Sequence, residues 1–420
     1  MKEELLQYIW QNGLFEHSDL KTHAGEAVLI INRGQKNVDS GPDFFNARIK
    51  IGDTIWAGNV EIHINSSDWN RHKHSDDSAY DNVILHVVLN NNEEIKISNN
   101  KVVPCIELAP TQGIIEKYNY LQGSKQTIAC HETLRYLKPF EINLFMSRLA
   151  IERLEDKTAD FGSTYSECSK DWHQTLQQQL FASFGLKANT LPFVILSRSL
   201  PHNIINKHFD NLLQVEALLF GQAGFLEENE IDEYHSMLKS EYSFLKQKYN
   251  LSPMDKSLWK FMRMRPASFP TIRISQLAKL IHKHDNIISF TLNADSIVDI
   301  EQLFDVDSSP YWETHYSFGK ESSRKKKKLG LLTRRNILIN TLIPFLFFYS
   351  KERNKDEIQE KALRFLEELP AESNSITREW ARYGVNSKSA FDSQSLIQLM
   401  NKYCKSRRCL QCQFGGKIIR

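Results

Sequence analysis

The sequence predicts an α+β protein in which a mixed sheet forms the N-terminal part and an all-α region follows. Between residues 27 and 110, short β-branched and aromatic runs are separated by Gly, Asn, Asp or Pro, as in strands joined by turns. From about residue 138, apolar residues instead recur every three to four positions, which is typical of helices. We therefore expect one module at 1–128 and a helical domain at 129–420.

The first module is predicted to run helix, strand, hairpin, strand. Residues 3–15 carry a helical apolar stripe, and β-rich runs follow it. The pair Gly52-Asp53 predicts a hairpin between FFNARIKI and TIWAGNVEIHI. The polar stretch SSDWNRHKHSDDSAYD then favours a short helical or turn segment before the strand VILHVV, and EIKIS and VPCIELAP are further candidate strands.

Helix boundaries in the second region follow from capping residues. Asp171 and the pair Ser252-Pro253 look like helix starts, and Gly185 and Gly224 look like helix ends. The apolar run at 337–349 is interrupted by Asn and Pro and falls short of the roughly 20 residues that a bilayer span needs. We expect it to form one or two core helices.

Composition and charge exclude several classes of protein. With 41% hydrophobic and 25% charged residues, the chain is not collagen, a coiled-coil rod or wholly disordered. Residues 1–128 hold 12 basic against 17 acidic residues, a balance of −5, and the remainder holds 41 against 34, a balance of +7. This asymmetry suits a polyanion partner for the second part.

The cysteine content and the N-terminus indicate a cytoplasmic protein without a membrane segment. Six cysteines in 420 residues are too few and too unevenly spread for a disulfide framework. The first residues carry acids where a signal peptide has bases.

The residues with chemical potential are concentrated between Gly41 and Val88, which hold four of the 14 histidines. Asp43 follows Gly41-Pro42 at the entry to one predicted strand. On the next, Glu61 and His63 share one face because side chains alternate along a strand. A hairpin would bring Asp43 near Glu61, and two such carboxylates favour a hard divalent cation.

This arrangement resembles the PD-(D/E)XK nuclease superfamily, and the resemblance covers roughly residues 1–110. Gly-Pro-Asp43 and Glu61-Ile62-His63 stand where that family has its metal-binding PD and E-x-K motifs. The resemblance implies a metal-dependent hydrolase acting on nucleic acid, in which Asp43 and Glu61 bind Mg²⁺ or Mn²⁺. His63 replaces the family's lysine, and His86 on the following strand would supply a further polar group near the catalytic site.

The blocks GPDFFNARI, WAGNVEIH, SSDW and HVV are also similar to an uncharacterised bacterial family, a domain of unknown function. That resemblance spans the whole chain and implies no activity.

Other interpretations of the same residues stay open. Asp43 could form a turn or cap, Glu61 and His63 could lie on an exposed sheet face, and His86 could be a hydrogen-bonded core residue. The chain could also be a catalytically inactive nucleic-acid-binding or scaffold protein that lacks the family's lysine. A third possibility is a transition-metal site in a cupin-like β-sandwich, because imidazoles favour zinc, iron or manganese. The ligands of that site would come from Glu61, His63, His72, His74 and His86. The polar surroundings of His72 and His74, however, are more typical of surface residues.

Three cysteines close together near the C-terminus, Cys404, Cys409 and Cys412, have a spacing that suits Zn²⁺ or an iron–sulfur cluster. The fourth ligand would come from Cys130, His131 or Cys168. Some PD-(D/E)XK nucleases use one upstream and three C-terminal cysteines for a cluster, so the resemblance also implies such a site. Alternatively, the three thiols pack as small hydrophobic groups.

Three arginines in the helical region, Arg263, Arg265 and Arg273, lie in an arginine- and aromatic-rich segment that we expect to be outside regular helix. Arginine suits phosphate, and Phe269 could stack on a base, so the segment is a candidate nucleic-acid contact. Arginine–carboxylate bridges that fix a loop between helices would explain it equally well.

Overall fold

The computed structural model describes residues 2–227, 229 and 231–420. Its strands are β1 (Val28–Asn32), β2 (Gln35–Lys36), β3 (Phe44–Ile51), β4 (Thr54–Asn65), β5 (Val83–Asn90), β6 (Cys105–Glu107), β7 (His315–Ser317) and β8 (Lys320–Glu321). Its α-helices are α1 (Glu3–Asn12), α2 (Asp68–Arg71), α3 (Ile114–Gly123), α4 (Pro139–Glu167), α5 (Trp172–Phe184), α6 (Thr190–Ser199), α7 (His202–Asn206), α8 (Leu212–Gln222), α9 (Glu233–Tyr249), α10 (Pro270–Lys283), α11 (Ile287–Asn293), α12 (Ile297–Leu303), α13 (Leu331–Ile337), α14 (Ile343–Arg353), α15 (Asp356–Glu368), α16 (Ser375–Arg382), α17 (Ala390–Gln398) and α18 (Gln413–Ile419).

The chain divides into two compact units, an α+β unit and a helical unit. The α+β unit consists of Met1–Ile142 together with Leu399–Arg420, and the helical unit of Asn143–Gln398. This division differs from a boundary at residue 128, because residues 129–142 and the C-terminal segment make their contacts within the first unit. The three C-terminal cysteines therefore belong to the same unit as the sheet.

A mixed sheet forms the centre of the α+β unit, as the sequence predicts. The strand order is β1-β3-β4-β5-β6, and β2 pairs with β3. The neighbours β1/β3 and β3/β4 are antiparallel, whereas β4/β5 and β5/β6 are parallel. Within the described residues these N-terminal strands make one sheet and not two facing sheets, so the β-sandwich alternative is wrong.

The hairpin predicted at Gly52-Asp53 is confirmed. Ile51 pairs with Thr54 across the turn between β3 and β4, and Gly52 has a φ of +57°. A positive φ of this kind is strained for residues with a Cβ, so glycine favours the turn that sets the register of both strands.

Helix α1 packs on the sheet through its apolar stripe. Leu5, Leu6, Ile9 and Trp10 are fully buried. The helix ends at Gly13, whose left-handed backbone lets its N–H reach the carbonyls of the last turn. The predicted helix at 3–15 therefore exists but is shorter at its C-terminal end.

One predicted strand is absent. The run EIKIS at 94–98 contributes only an isolated bridge between Lys96 and Val102. Its alternation nevertheless reflects burial, since Ile95 and Ile97 pack in a small cluster with Trp69. The alternation of buried and exposed residues in EIKIS therefore comes from side-chain packing and not from pairing in a sheet.

The helical unit is built around a large apolar core. Helices α13 and α14 are joined by a π-helical stretch at Leu338–Leu342 into one continuous helix. Within the described residues, Leu331–Arg353 is the one helix with the length and apolar composition to cross a membrane, and 61% of its apolar stretch is buried inside the protein. The packing is that of the core helix predicted at 337–349.

Two helix boundaries in this unit test the capping signals. Asp171 caps α5 by accepting hydrogen bonds from the N–H groups of His173 and Gln174, as predicted. The helix predicted after Ser252-Pro253 is wrong: that segment contains only a short 3₁₀ turn at Lys256–Leu258.

Candidate functional site

The hairpin brings Asp43 and Glu61 together. Asp43 immediately precedes β3, whose first residue, Phe44, pairs with Val60 next to Glu61. The Asp43 N–H donates to Glu61 Oε2 at 3.0 Å, and the Ile62 N–H donates to Asp43 Oδ2 at 3.1 Å. The two carboxyl groups thus lie side by side at the same end of the hairpin.

Helix α1 adds two residues to this cluster that the sequence analysis did not select. Gln7 Nε2 donates to Asp43 Oδ1 at 2.8 Å, and the Glu3 carboxylate is close enough to raise the pKa of Asp43. Glu3 and Gln7 are four residues apart and therefore share one helix face. Two polar residues four positions apart, on a helix whose other face is apolar, are the sequence pattern that could have identified this pair.

Strand β5 places His86 beside the cluster. His86 pairs directly with Glu61 in the parallel ladder, and His86 Nε2 lies 2.9 Å from His63 Nδ1. Both imidazoles are fully buried and Glu61 is 5% exposed, so the alternative of an exposed Glu61/His63 face is wrong. His86 holds the ring of His63 in a fixed orientation.

The segment after β4 brings two further histidines to the same place. The backbone turns at Lys73, which has a φ of +60°, and His72 and His74 flank it. His72 Nδ1 lies 3.1 Å from His63 Nε2, and His74 Nε2 lies 3.4 Å from Glu61 Oε1. The sequence predicts both as surface residues, which is wrong for His74, whose side chain is 11% exposed.

Aromatic packing fixes the ring of His74. It stacks on Tyr80 with ring centroids 3.8 Å apart and meets Trp69 edge-on at 5.3 Å. Trp69 is fully buried, and its indole N–H donates to Ser75 Oγ. The loop is therefore anchored in the core of the α+β unit.

Burial shifts the protonation equilibria of the whole cluster. Burial and the neighbouring Asp43 raise the pKa of Glu61 to about 9, and burial and Glu3 raise the pKa of Asp43 to about 7. Burial and the other imidazoles lower the pKa of His63 to about 3 and that of His74 to about 4. The imidazoles of His63 and His74 are consequently neutral at pH 7.

The five cysteines discussed as ligands divide between the units. Cys130 joins Cys404, Cys409 and Cys412 around a small cavity of about 20 Å³, whereas Cys168 belongs to the helical unit. Burial and the neighbouring thiols raise the pKa of Cys130 to about 12. His131 instead contacts the Ile128 carbonyl through Nδ1. Of the three candidate fourth ligands, the structure places Cys130 with the C-terminal cysteines.

The cysteine cavity is held closed by specific contacts. The Arg407 guanidinium donates to the carbonyls of Ser124, Gln126 and Thr127, which connects the C-terminal segment to the chain just before Cys130. A Cβ on Gly415 would lie 2.3 Å from the carbonyl oxygen of Cys409, so only glycine fits there.

The three arginines of the predicted nucleic-acid contact do not share one environment. Arg263 and Arg265 are exposed, but Arg273 lies in α10 and is 5% exposed, with its guanidinium donating to Gln276 and Thr333. The expectation that Arg273 lies outside regular helix is wrong, because α10 begins at Pro270. Its burial makes it a core residue and not a phosphate contact.

Comparisons with known proteins address the family and not the chemistry. No curated protein and no solved structure matches the chain. A family model described as "Protein of unknown function (DUF2851)" matches residues 3–375, which is nearly the whole chain. The protein therefore belongs to the DUF2851 family, in agreement with the resemblance of its sequence blocks to a family of unknown function.

Proposed function

We propose that the α+β unit hydrolyses phosphodiester bonds of nucleic acid with a divalent cation held by Asp43 and Glu61. The observation that carries this proposal is the meeting of two carboxyl groups at one end of the hairpin, Glu61 buried and Asp43 half-buried, linked by backbone hydrogen bonds of 3.0 and 3.1 Å. Neighbouring carboxylates that are largely removed from water are costly unless a proton or a cation compensates them.

The strand order supports the proposal. Helix α1, an antiparallel β1-β3-β4 meander, a helical segment and the parallel strand β5 follow one another in the order that a PD-(D/E)XK-like core implies. Asp43 and Glu61 occupy the positions on that hairpin where the resemblance places the metal ligands. Membership of the α+β unit in the PD-(D/E)XK superfamily is part of what we propose.

The donor set fits a cation that retains several waters. Each carboxylate oxygen that accepts a backbone or amide hydrogen bond keeps a second lone pair, and Mg²⁺ and Mn²⁺ accept carboxylate oxygens. Such a cation would polarise a phosphate oxygen and lower the pKa of bound water. Gln7 orients Asp43, and the neutral imidazole of His63 lies 3.5 Å from Glu61 Oε1.

A catalytically inactive binding or scaffold protein is the second candidate. The observation that favours it is the neutrality of His63, since a lysine at that position would supply a positive charge for phosphate. Phosphate contacts would then come from exposed cations such as Arg263 and Arg265 in the helical unit.

Cleavage of DNA and RNA by the full chain, with Mn²⁺, with Mg²⁺ and with a chelator, tests the proposal. We expect metal-dependent cleavage that Asp43→Asn reduces by about 100-fold or more. Asp53→Asn is the matched control, because Asp53 lies exposed in the hairpin turn. Absence of cleavage with every metal, or full activity of Asp43→Asn, contradicts the proposal; binding without cleavage by either protein supports the scaffold instead.

We also propose that the cavity lined by Cys130, Cys404, Cys409 and Cys412 holds Zn²⁺ or an iron–sulfur cluster. Four thiols from two distant chain segments around one small cavity match the ligand number of both groups. We expect elemental analysis of the purified chain to find zinc or iron, with sulfide in the second case. Cys412→Ser should lower that content, and Cys168→Ser in the helical unit should not; metal-free wild-type protein would contradict the proposal.

A further inference from the structure

The histidines beside Glu61 have the geometry of a separate metal site. One ring nitrogen from each of His63, His72 and His74 lies within 4.8 Å of the other two. Glu61 Oε1 lies 3.5 Å from His63 Nε2 and 3.4 Å from His74 Nε2, and His63 Nε2 lies 3.1 Å from His72 Nδ1. The Glu61 oxygen therefore lies within 3.5 Å of a ring nitrogen of two of the three histidines.

Three of these separations match the edge length of a small coordination tetrahedron. Zinc binds imidazole nitrogen and carboxylate oxygen at about 2.0 to 2.2 Å, which places neighbouring ligand atoms about 3.3 Å apart. The three separations given above lie within 0.2 Å of that value. His74 Nε2 and Glu61 Oε1 approach to 3.4 Å without forming a hydrogen bond. Hydrogen bonding therefore does not account for their proximity.

Two further observations indicate ligands and not only packing. His74 Nε2 is buried and has no hydrogen-bond partner among the described residues, although its ring is fixed between Trp69 and Tyr80. His63 is oriented through its other nitrogen by His86, as metal-bound imidazoles are commonly oriented. The exposed ring of His72 gives the site access to solvent.

We infer that His63, His72, His74 and Glu61 Oε1 bind a transition-metal dication of the zinc type. This site is distinct from the Asp43 side of Glu61, where Oε2 accepts the Asp43 N–H. Imidazole nitrogens select Zn²⁺, Co²⁺ or Fe²⁺ over Mg²⁺. In this site His63 is a metal ligand. Glu61 would then connect the zinc-type site, through Oε1, with the cation position beside Asp43.

Titration of the chelator-treated full chain with Co²⁺ tests the site by a readout that is independent of cleavage. We expect the visible absorption of four-coordinate cobalt, which one equivalent of Zn²⁺ removes and excess Mg²⁺ does not. His72→Ala and His74→Ala should each weaken Co²⁺ binding by about 100-fold or more, since loss of a ligand exceeds the 10–100-fold loss seen for outer hydrogen-bond partners. His23→Ala is the matched control, because His23 is an exposed histidine of the same unit.

Four-coordinate cobalt at the cysteine cavity also absorbs in the visible, so the histidine site is measured as the difference between the spectrum of the wild type and that of each histidine variant. The thiolate-to-cobalt absorption in the near ultraviolet, which is specific to the cysteine cavity, should be unchanged in these variants. Visible bands that are equally intense in the wild type and in both histidine variants overturn the inference even if Mn²⁺-dependent cleavage is found. A visible component that is lost in His72→Ala and in His74→Ala supports it even if no nucleic acid is cleaved, in which case only the proposed function fails.

Discussion

The Glu61→Gln variant is expected to lose metal-dependent cleavage by about 1000-fold while the metal-free chain becomes more stable. Glutamine keeps a side-chain oxygen to accept the Asp43 N–H, but it removes the charge that a cation requires. Its amide can also donate toward His74 Nε2, which lacks a hydrogen-bond partner. Opposite changes in activity and stability distinguish a functional carboxylate from a structural one.

The gain in stability should depend on pH. Burial and Asp43 raise the pKa of Glu61 from 4.5 to about 9, so between these values the folded chain binds a proton that the unfolded chain has released. Stability then falls as the pH rises through that window. The advantage of Glu61→Gln should therefore grow from pH 5 to pH 9. Urea denaturation of both chelator-treated proteins measures it, and a variant that is less stable at every pH would contradict the assignment.

The Gly221→Ala variant is expected to destabilise the helical unit by about 3 kcal/mol or more. Gly221 lies in α8 against Tyr242 of α9, and a Cβ built on it would lie 2.1 Å from Tyr242 Cγ. Tyr242 is 3% exposed and its hydroxyl donates to Gln222 Oε1, so the ring cannot move aside without loss of packing and of that hydrogen bond.

Gly162→Ala is the matched control for this glycine. Gly162 lies within α4, and the nearest atom to an added Cβ, Phe348 Cε2, is 3.8 Å away. Alanine should stabilise that helix by up to about 1 kcal/mol because it restricts the unfolded chain and favours helix. Urea midpoints of the two variants should move in opposite directions; a Gly221→Ala midpoint equal to that of the wild type would show that the helices separate easily.

Prediction from sequence succeeded where the pattern is local. Alternation along TIWAGNVEIHI placed Glu61 and His63 on one face, and the glycine turn at Gly52 fixed the hairpin that brings Asp43 to them. The coarse order of sheet and helices followed from the change in apolar period. Local signals were insufficient for EIKIS and for Ser252-Pro253, where burial and turn formation did not lead to a strand or a helix.

Prediction failed where a side chain's environment depends on distant segments. Arginine is usually a surface residue, but α10 directs the Arg273 side chain into the core, where Gln276 and Thr333 accept its hydrogen bonds. Residues 320–335, KESSRKKKKLGLLTRR, form a basic stretch, yet Lys327 within it is buried and its Nζ donates to the carbonyls of Trp312 and Glu313. A run of charges therefore did not define a surface.

The sequence alone determined the mixed-sheet and helical parts and the pairing of Asp43 with Glu61, because strand alternation and a two-residue turn are encoded within about 20 neighbouring positions. Only the tertiary structure decided that His74 reaches Glu61, that His72 reaches His63 and that Cys130 joins cysteines more than 270 residues away. The histidine contacts depend on the packing of Trp69, and the cysteine cavity depends on the Arg407 hydrogen bonds. The periodicity of apolar residues along the sequence carries no information about contacts between such distant segments.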